Sequence, residues 1–381
     1  MRSNRTGGCG RLLASAGWGL VLLPVLLETG AQAQEVLRLK LKVKEQVSVS
    51  GSPAPAFFDS IRCDGRGSLY ARIVTEPDLL LSPVTKITRE GKVQAVFSST
   101  AVSGFEKAQL INFAVGLRGE VYGLVARSIG GGTETDILTF DDDGGFQFAT
   151  KVEAKFTPSR IAVFPSGQFL LFGWREIRGA APALRKAPAA GAGSKGTTEV
   201  ARRVLPPVEA LAAVIDRGGR MMKEVSLGPG AESPERPGSG GGNGVPSAEI
   251  SLGEAVAGDD GNIYLTLRAP SAPRVYVISP AGTILRSFEV RPPGVKDQEI
   301  SMGYSAGGKL VFEFQHPIDD RITDWRNAIF SIVDAETGVR ELDYQSSADI
   351  GGGLSCYSPN DGFTFLRNSP DGRILITRAG P

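Results

Sequence analysis

The chain has 381 residues, 42 basic and 41 acidic side chains, a formal net charge of +1, one histidine and three cysteines. So even a balance leaves no electrostatic footprint for nucleic acid or for an anionic membrane surface. A single histidine excludes histidine-rich zinc sites and makes any Ser-His-Asp triad depend on His316.

In chain order, residues 1–33 read as an export leader. Arg2, Arg5 and Arg11 form a basic start, Leu12 to Leu27 is apolar with Pro24 inside it, and Ala31-Gln32-Ala33 offers a cleavage site. The other reading is an uncleaved anchor, but the stretch is short against the roughly 20 apolar residues of a span. Cys9 precedes the apolar run and cannot be a lipoprotein acceptor. Cleavage takes away three arginines and one glutamate and leaves a formal charge of −1. The expected location is secreted or periplasmic, with no membrane attachment after cleavage. No Asn-x-Ser/Thr sequon remains in the mature chain.

Residues 34–381 read as one all-β domain. Leu37, Leu39, Leu41 and Val43 alternate with Arg38, Lys40, Lys42 and Lys44, a half-buried strand with one basic face. Beyond it a module recurs, in which a polar turn containing glycine is followed by an alternating strand, twice per unit. Hairpin turns need positive φ, which glycine adopts freely. Turns joining first to second strands are expected near Gly67, Gly119, Gly167, Gly261, Gly308 and Gly372. Turns joining third to fourth strands are expected near Gly91, Gly145, Gly219, Gly282 and Gly338. Repeats of this size built only from strands and tight turns indicate a β-propeller. Six blades of four antiparallel strands are expected, the ring being closed by the N-terminal strand joining the C-terminal blade.

The interval of 94 residues between Gly167 and Gly261 leaves seven blades as the alternative. Its extra residues argue against that. Segments 178–199 and 228–247 are rich in Ala, Gly, Pro and Ser and cannot bury enough apolar area to offset their ordering entropy, so both read as mobile loops. The turn parity puts three long connections at one end of the ring, at about 175–207, 228–248 and 315–328. Loops on a rigid scaffold are where binding resides, so a ligand should meet that end or the mouth of the channel.

Two groups of candidate binding residues lie there. Trp174, Arg175 and Glu176 leave the second strand of blade three. His316, Asp319, Asp320, Asp324 and Trp325 belong to the segment 315–326, which holds the chain's one histidine. The three aspartates are too few for an oxygen-rich cation site of six or more ligands, so the segment also reads as a solvated loop anchored by Trp325. Asp141-Asp142-Asp143-Gly144-Gly145 lacks the spacing and closing glutamate of an EF-hand and reads as a turn. The two mature cysteines, Cys63 and Cys356, lie near the two ends of the repeat array. They are expected to form a disulfide locking the first blade to the last, the alternative being two buried thiols.

Gly261-Asn262-Ile263-Tyr264, with Arg274-Val275-Tyr276-Val277 and Gly282-Thr283-Ile284-Leu285, resembles the repeat of NHL-type six-bladed β-propellers. Blades two and five repeat it more loosely at Gly119-Glu120-Val121-Tyr122 and Gly308-Lys309-Leu310-Val311, and the pattern covers most of residues 56–379. The resemblance implies architecture, since these are turn and core positions. Similar propellers include extracytoplasmic binding scaffolds, and also lactonase-like and lyase enzymes with a metal in the channel, whose ligands find no match here residue by residue. No His-Glu-x-x-His motif occurs. The sequence therefore points to an exported, monomeric scaffold that binds a protein or a glycan, with no catalytic residue, metal ligand or cofactor assigned. The alternative is a metal-dependent hydrolase or lyase with a divalent cation in the channel.

Overall fold

The computed structural model describes residues 36–51, 57–74, 79–176, 207–232, 251–268, 272–305, 307–318, 323–350 and 353–381. Residues 1–33, read above as an export leader, most of the two low-complexity segments, and Asp319 and Asp320 lie outside these residues. Among the described residues there are six antiparallel sheets of four strands, one of them extended by a parallel fifth. The innermost strands are Phe57–Cys63, Gln109–Val115, Thr157–Val163, Ser251–Ala257, Gln298–Ser305 and Gly353–Ser358. Each neighbours the innermost strand of the next blade, and the last lies against the first. The architecture is a closed six-bladed β-propeller.

The core is divided as the fold requires, because a blade buries both faces only against its neighbours. Six apolar clusters fill the spaces between successive blades. The one at the seam packs Leu69, Ala71, Ile73 and Ile87 of blade one on Leu366, Ile374 and Ile376 of blade six. Each fully buried aliphatic side chain there contributes about 1.5 to 3 kcal/mol.

The N-terminal segment closes the ring, but as two strands. Lys42–Ser48 pairs antiparallel with Ile374–Gly380 and is the outermost strand of blade six. Arg38–Lys40 pairs parallel with Arg340–Gln345 of blade five. The chain steps between blades at Leu41, which is buried, while Leu37 and Val43 are exposed. The alternating pattern is thus interrupted by a change of partner. One turn assignment also moves. Gly362, not Gly372, joins the first two strands of blade six, and Gly372 joins its second and third. Both are Asp-Gly turns with positive φ, at 80° and 78°. Only the N-terminal origin of the fourth strand distinguishes them.

The large interval in blade three is an excursion between two paired strands, since Glu176 stands opposite Val208. The fourth strand of that blade runs to Glu232, so residues 228–232 are paired with the third strand rather than forming a loop. The segment 315–328 is likewise mostly strand, with His316 opposite Asp324 and Pro317 opposite Thr323. Asp141 is the turn residue expected, its Oδ1 accepting from the amides of Asp143 and Gly145 at 3.2 and 2.7 Å.

The tyrosine of the repeat ties blades together. The Tyr264 hydroxyl donates to Asp260 Oδ2 at 2.9 Å and accepts from Arg286 at 3.3 Å, and Arg286 reaches the Ala335 carbonyl of blade five at 3.1 Å. Burial and the Asp260 hydrogen bond push the phenol up to about 12. Tyr70 repeats the device, reaching Gly119 and Asp142 of blade two, where buried Lys86 joins Asp142 at 2.5 Å. Tyr264→Phe is expected to lose about 1 kcal/mol in denaturant unfolding, and an unchanged midpoint would remove this role.

Candidate functional site in the channel

Every innermost strand carries a β-bulge near its start: between Phe58 and Ile61, Leu110 and Asn112, Pro158 and Arg160, Leu252 and Ala255, Glu299 and Ser301, and Leu354 and Cys356. A bulge leaves a residue unpaired and re-aims its side chain. The residue seven positions before the turn glycine is polar in all six blades: Ser60, Asn112, Arg160, Glu254, Ser301 and Ser355. The repeat therefore puts a ring of polar residues at or beside the bulges, in the half of the inner strands nearest the long connections; Asn112, Arg160 and Ser301 stand next to the bulged position, opposite Leu124, Phe172 and Glu313.

Charged side chains converge on this ring. Arg62 of blade one meets Glu254 of blade four at 2.6 Å. Those blades face each other across a six-membered ring, so the pair spans the lumen. Asp59 holds Arg72 at 2.8 Å, and Arg268 lies 3.5 Å from Glu299. Arg160 enters from blade three within Coulombic range of Glu254, Arg62, Arg268 and Asp59. Gly253 makes the bulge at Glu254 possible, since a Cβ there would stand 2.0 Å from Thr266 Oγ1. That hydroxyl accepts from the Glu254 amide at 2.9 Å.

The carboxyls are set apart by their surroundings. Burial raises the Glu254 carboxyl, but the guanidiniums of Arg62, Arg160 and Arg268 outweigh it and hold the group below its ordinary value. Burial pushes Glu299 up, with Arg268 opposing. Burial also pushes Glu313 up, although it accepts from the Leu354 amide, Gln315 and Ser301. A carboxyl raised in the folded state contributes stability below the ordinary value of 4.5 and loses it as pH rises through the folded pKa. Unfolding free energy measured across that range should therefore fall less steeply in Glu313→Gln, whose amide oxygen still accepts from Ser301 and Leu354. An unchanged slope would mean that Glu313 does not carry the proton.

The residues singled out in the sequence lie at the rim. His316 Nδ1 is 2.9 Å from Asp297 Oδ1, with the histidine exposed and the aspartate buried. Arg175 is held within its own blade by Glu209 and Glu224 at 2.9 and 2.8 Å. Trp174 packs against the core between blades three and four, and Glu176 is exposed. Asp324 and Trp325 stand on the third strand of blade five, with their side chains outside the described set. Among the described residues no group of three or more His, Cys, Asp or Glu is placed to hold a metal ion. A separate cleft of about 380 Å³ opens at the short-turn end between blades two and three, lined by Arg118, Glu120, Tyr122, Asp142, Gln147 and Arg217. The lumen arginines and glutamates were missed from sequence, although a polar residue at one fixed distance before each turn was there to be read.

Cys63 and Cys356 stand on adjacent inner strands at the seam, with a Cα–Cα separation of 6.0 Å, as a disulfide-capable pair. Among the described residues no helix is long and apolar enough to cross a membrane.

No family model and no curated protein sequence matches the chain. Several solved structures are similar in fold. Virginiamycin B lyase from Staphylococcus aureus is 12% identical over 89% of this chain and 99% of its own, with a TM-score of 0.43. A DUF4221 family member from Bacteroides vulgatus is 11% identical over 90% and 98%, with a TM-score of 0.47. A protein of unknown function from Dyadobacter fermentans is 11% identical over 89% and 98%, with a TM-score of 0.45. Likeness of this degree assigns no activity.

Proposed function

We propose that the protein is an exported, monomeric binding propeller that takes a protein or glycan partner at the end of the ring where the long connections leave, and that it works without a resident metal. The observation that carries this reading is the charged lumen at that end. Asp59 and Arg268 are 43% and 31% exposed, so solvent reaches it, and a partner docked over the mouth would meet its charges. The NHL-like repeat fits such a scaffold and names no activity of its own. The basic-apolar leader and a cysteine pair across the seam support export.

The metal-dependent hydrolase or lyase is less well supported. A divalent cation wants several oxygen ligands free of competing cations, whereas the lumen carboxylates Asp59, Glu254 and Glu299 each have a guanidinium beside them. The test replaces residues 177–206 with a short turn between Glu176 and Pro207, which end and start paired strands. On glycan and protein arrays the parent chain should bind, and the shortened chain should lose that binding at an unchanged melting temperature. Unchanged binding would move the interface elsewhere, towards the opposite end.

A further inference from the structure

Three of the four lumen guanidiniums have a carboxylate of their own: Arg62 has Glu254, Arg72 has Asp59, and Arg268 has Glu299. Arg160 has none within ion-pair distance among the described residues. Its Nη1 donates to the Ser159 carbonyl at 3.1 Å, and its Nε is buried without a hydrogen-bond partner. The guanidinium is half-buried, and without a carboxylate of its own it keeps donors free for an anion. Four guanidiniums, those of Arg62, Arg72, Arg160 and Arg268, face the three carboxyls of Asp59, Glu254 and Glu299, so the cluster carries positive charge in excess. A guanidinium presents a planar fork of donors matched to a carboxylate.

We propose that the channel holds a receptor site for one carboxylate, which enters from the long-connection end and is bound by Arg160 beside the Arg62–Glu254 pair. This deepens the binding reading and rests on it, naming the group of the ligand that is recognised. The lumen is open to solvent, so the ligand need insert only a short acidic arm. In the ring Arg160 of blade three stands between Asn112 of blade two, whose Oδ1 accepts from the Ile161 amide at 3.3 Å, and Glu254 of blade four, so the wall beside it is neutral on one side and acidic on the other.

The test is thermal unfolding of the purified protein in sodium acetate against sodium chloride at equal pH and ionic strength, with the acetate stoichiometry taken from calorimetry. Acetate should raise the melting temperature by about 2 to 4 °C near saturation, at one site per chain. Arg160→Met should abolish the acetate-specific shift, and Arg160→Lys, which keeps the charge without the fork, should weaken it. Glu254→Gln removes a neighbouring negative charge and should tighten acetate several-fold. This opposite sign keeps the test informative if Arg160→Met fails to fold. D-glucuronate and N-acetyl-aspartate amide each carry one carboxylate, and the one that acts at lower concentration identifies the carrier. No acetate shift in the parent chain, an equal shift in Arg160→Met, or no tightening in Glu254→Gln would overturn the proposal. Acetate binding through Arg160 with array binding unaffected by the shortened 177–206 connection would keep the carboxylate site and remove the docking face. The converse result would do the reverse.

Discussion

Replacing Glu254 with alanine is expected to lower the unfolding free energy by about 3 kcal/mol, far more than an exposed glutamate would. The carboxylate sits among the guanidiniums of Arg62, Arg160 and Arg268 and contacts Arg62 at 2.6 Å across the lumen. Without it, three confined cations face one another. At 18% exposure water relieves part of this, which places the effect at the low end of the range for breaking a buried pair. Denaturant unfolding measures it, with Glu176→Ala at the exposed end of a strand as the reference, expected to stay within about 0.5 kcal/mol. A loss under about 1 kcal/mol in Glu254→Ala would mean that the trans-lumen pair is a solvated contact and that the ring does not depend on it. Acetate should restore part of the loss, because it offers the arginines another carboxylate.

The second large effect concerns the seam. Cys63 and Cys356 are 293 residues apart, so a bond between them closes nearly the whole ring. In the chain-entropy picture such a link stabilises by about 5 kcal/mol, mostly by restricting the unfolded chain. Protein with the bond formed should therefore resist guanidinium markedly better than the Cys63→Ser/Cys356→Ser double variant. The variant should still fold, because the seam keeps its apolar cluster and the Lys42–Ser48 strand. Equal stability of the two forms, with thiol titration showing two free cysteines in the parent chain, would leave the pair as free thiols at the seam, Cys63 exposed and Cys356 half-buried.

The fold was legible because the repeat writes itself in local signals. A glycine with positive φ marks nearly every tight turn, and the strand after Gly261 reads directly from Ile263 to Leu267. The ambiguities arose where local signals repeat without meaning the same thing. Asp361-Gly362 and Asp371-Gly372 make the same kind of turn at different places in the blade. The alternation of Leu37 to Val43 spans a change of blade that no local pattern announces. The segment around His316 looked like a loop because His, Pro and Asp are poor strand formers, yet pairing with the next strand carried it to Pro317. The lumen site was harder to see. Arg62 and Glu254 are 192 residues apart, each inside a short strand of a different blade. Such residues become a site only when the ring brings opposite blades together.

The binding-propeller reading is separated from a metal enzyme by the metal content of the purified mature protein, with its melting temperature recorded with and without EDTA. Less than stoichiometric metal and no EDTA shift are expected, because the lumen carboxylates Asp59, Glu254 and Glu299 are engaged by arginine. A near-stoichiometric cation whose removal lowers the melting temperature would contradict that reading and would turn attention to lactonase and lyase assays.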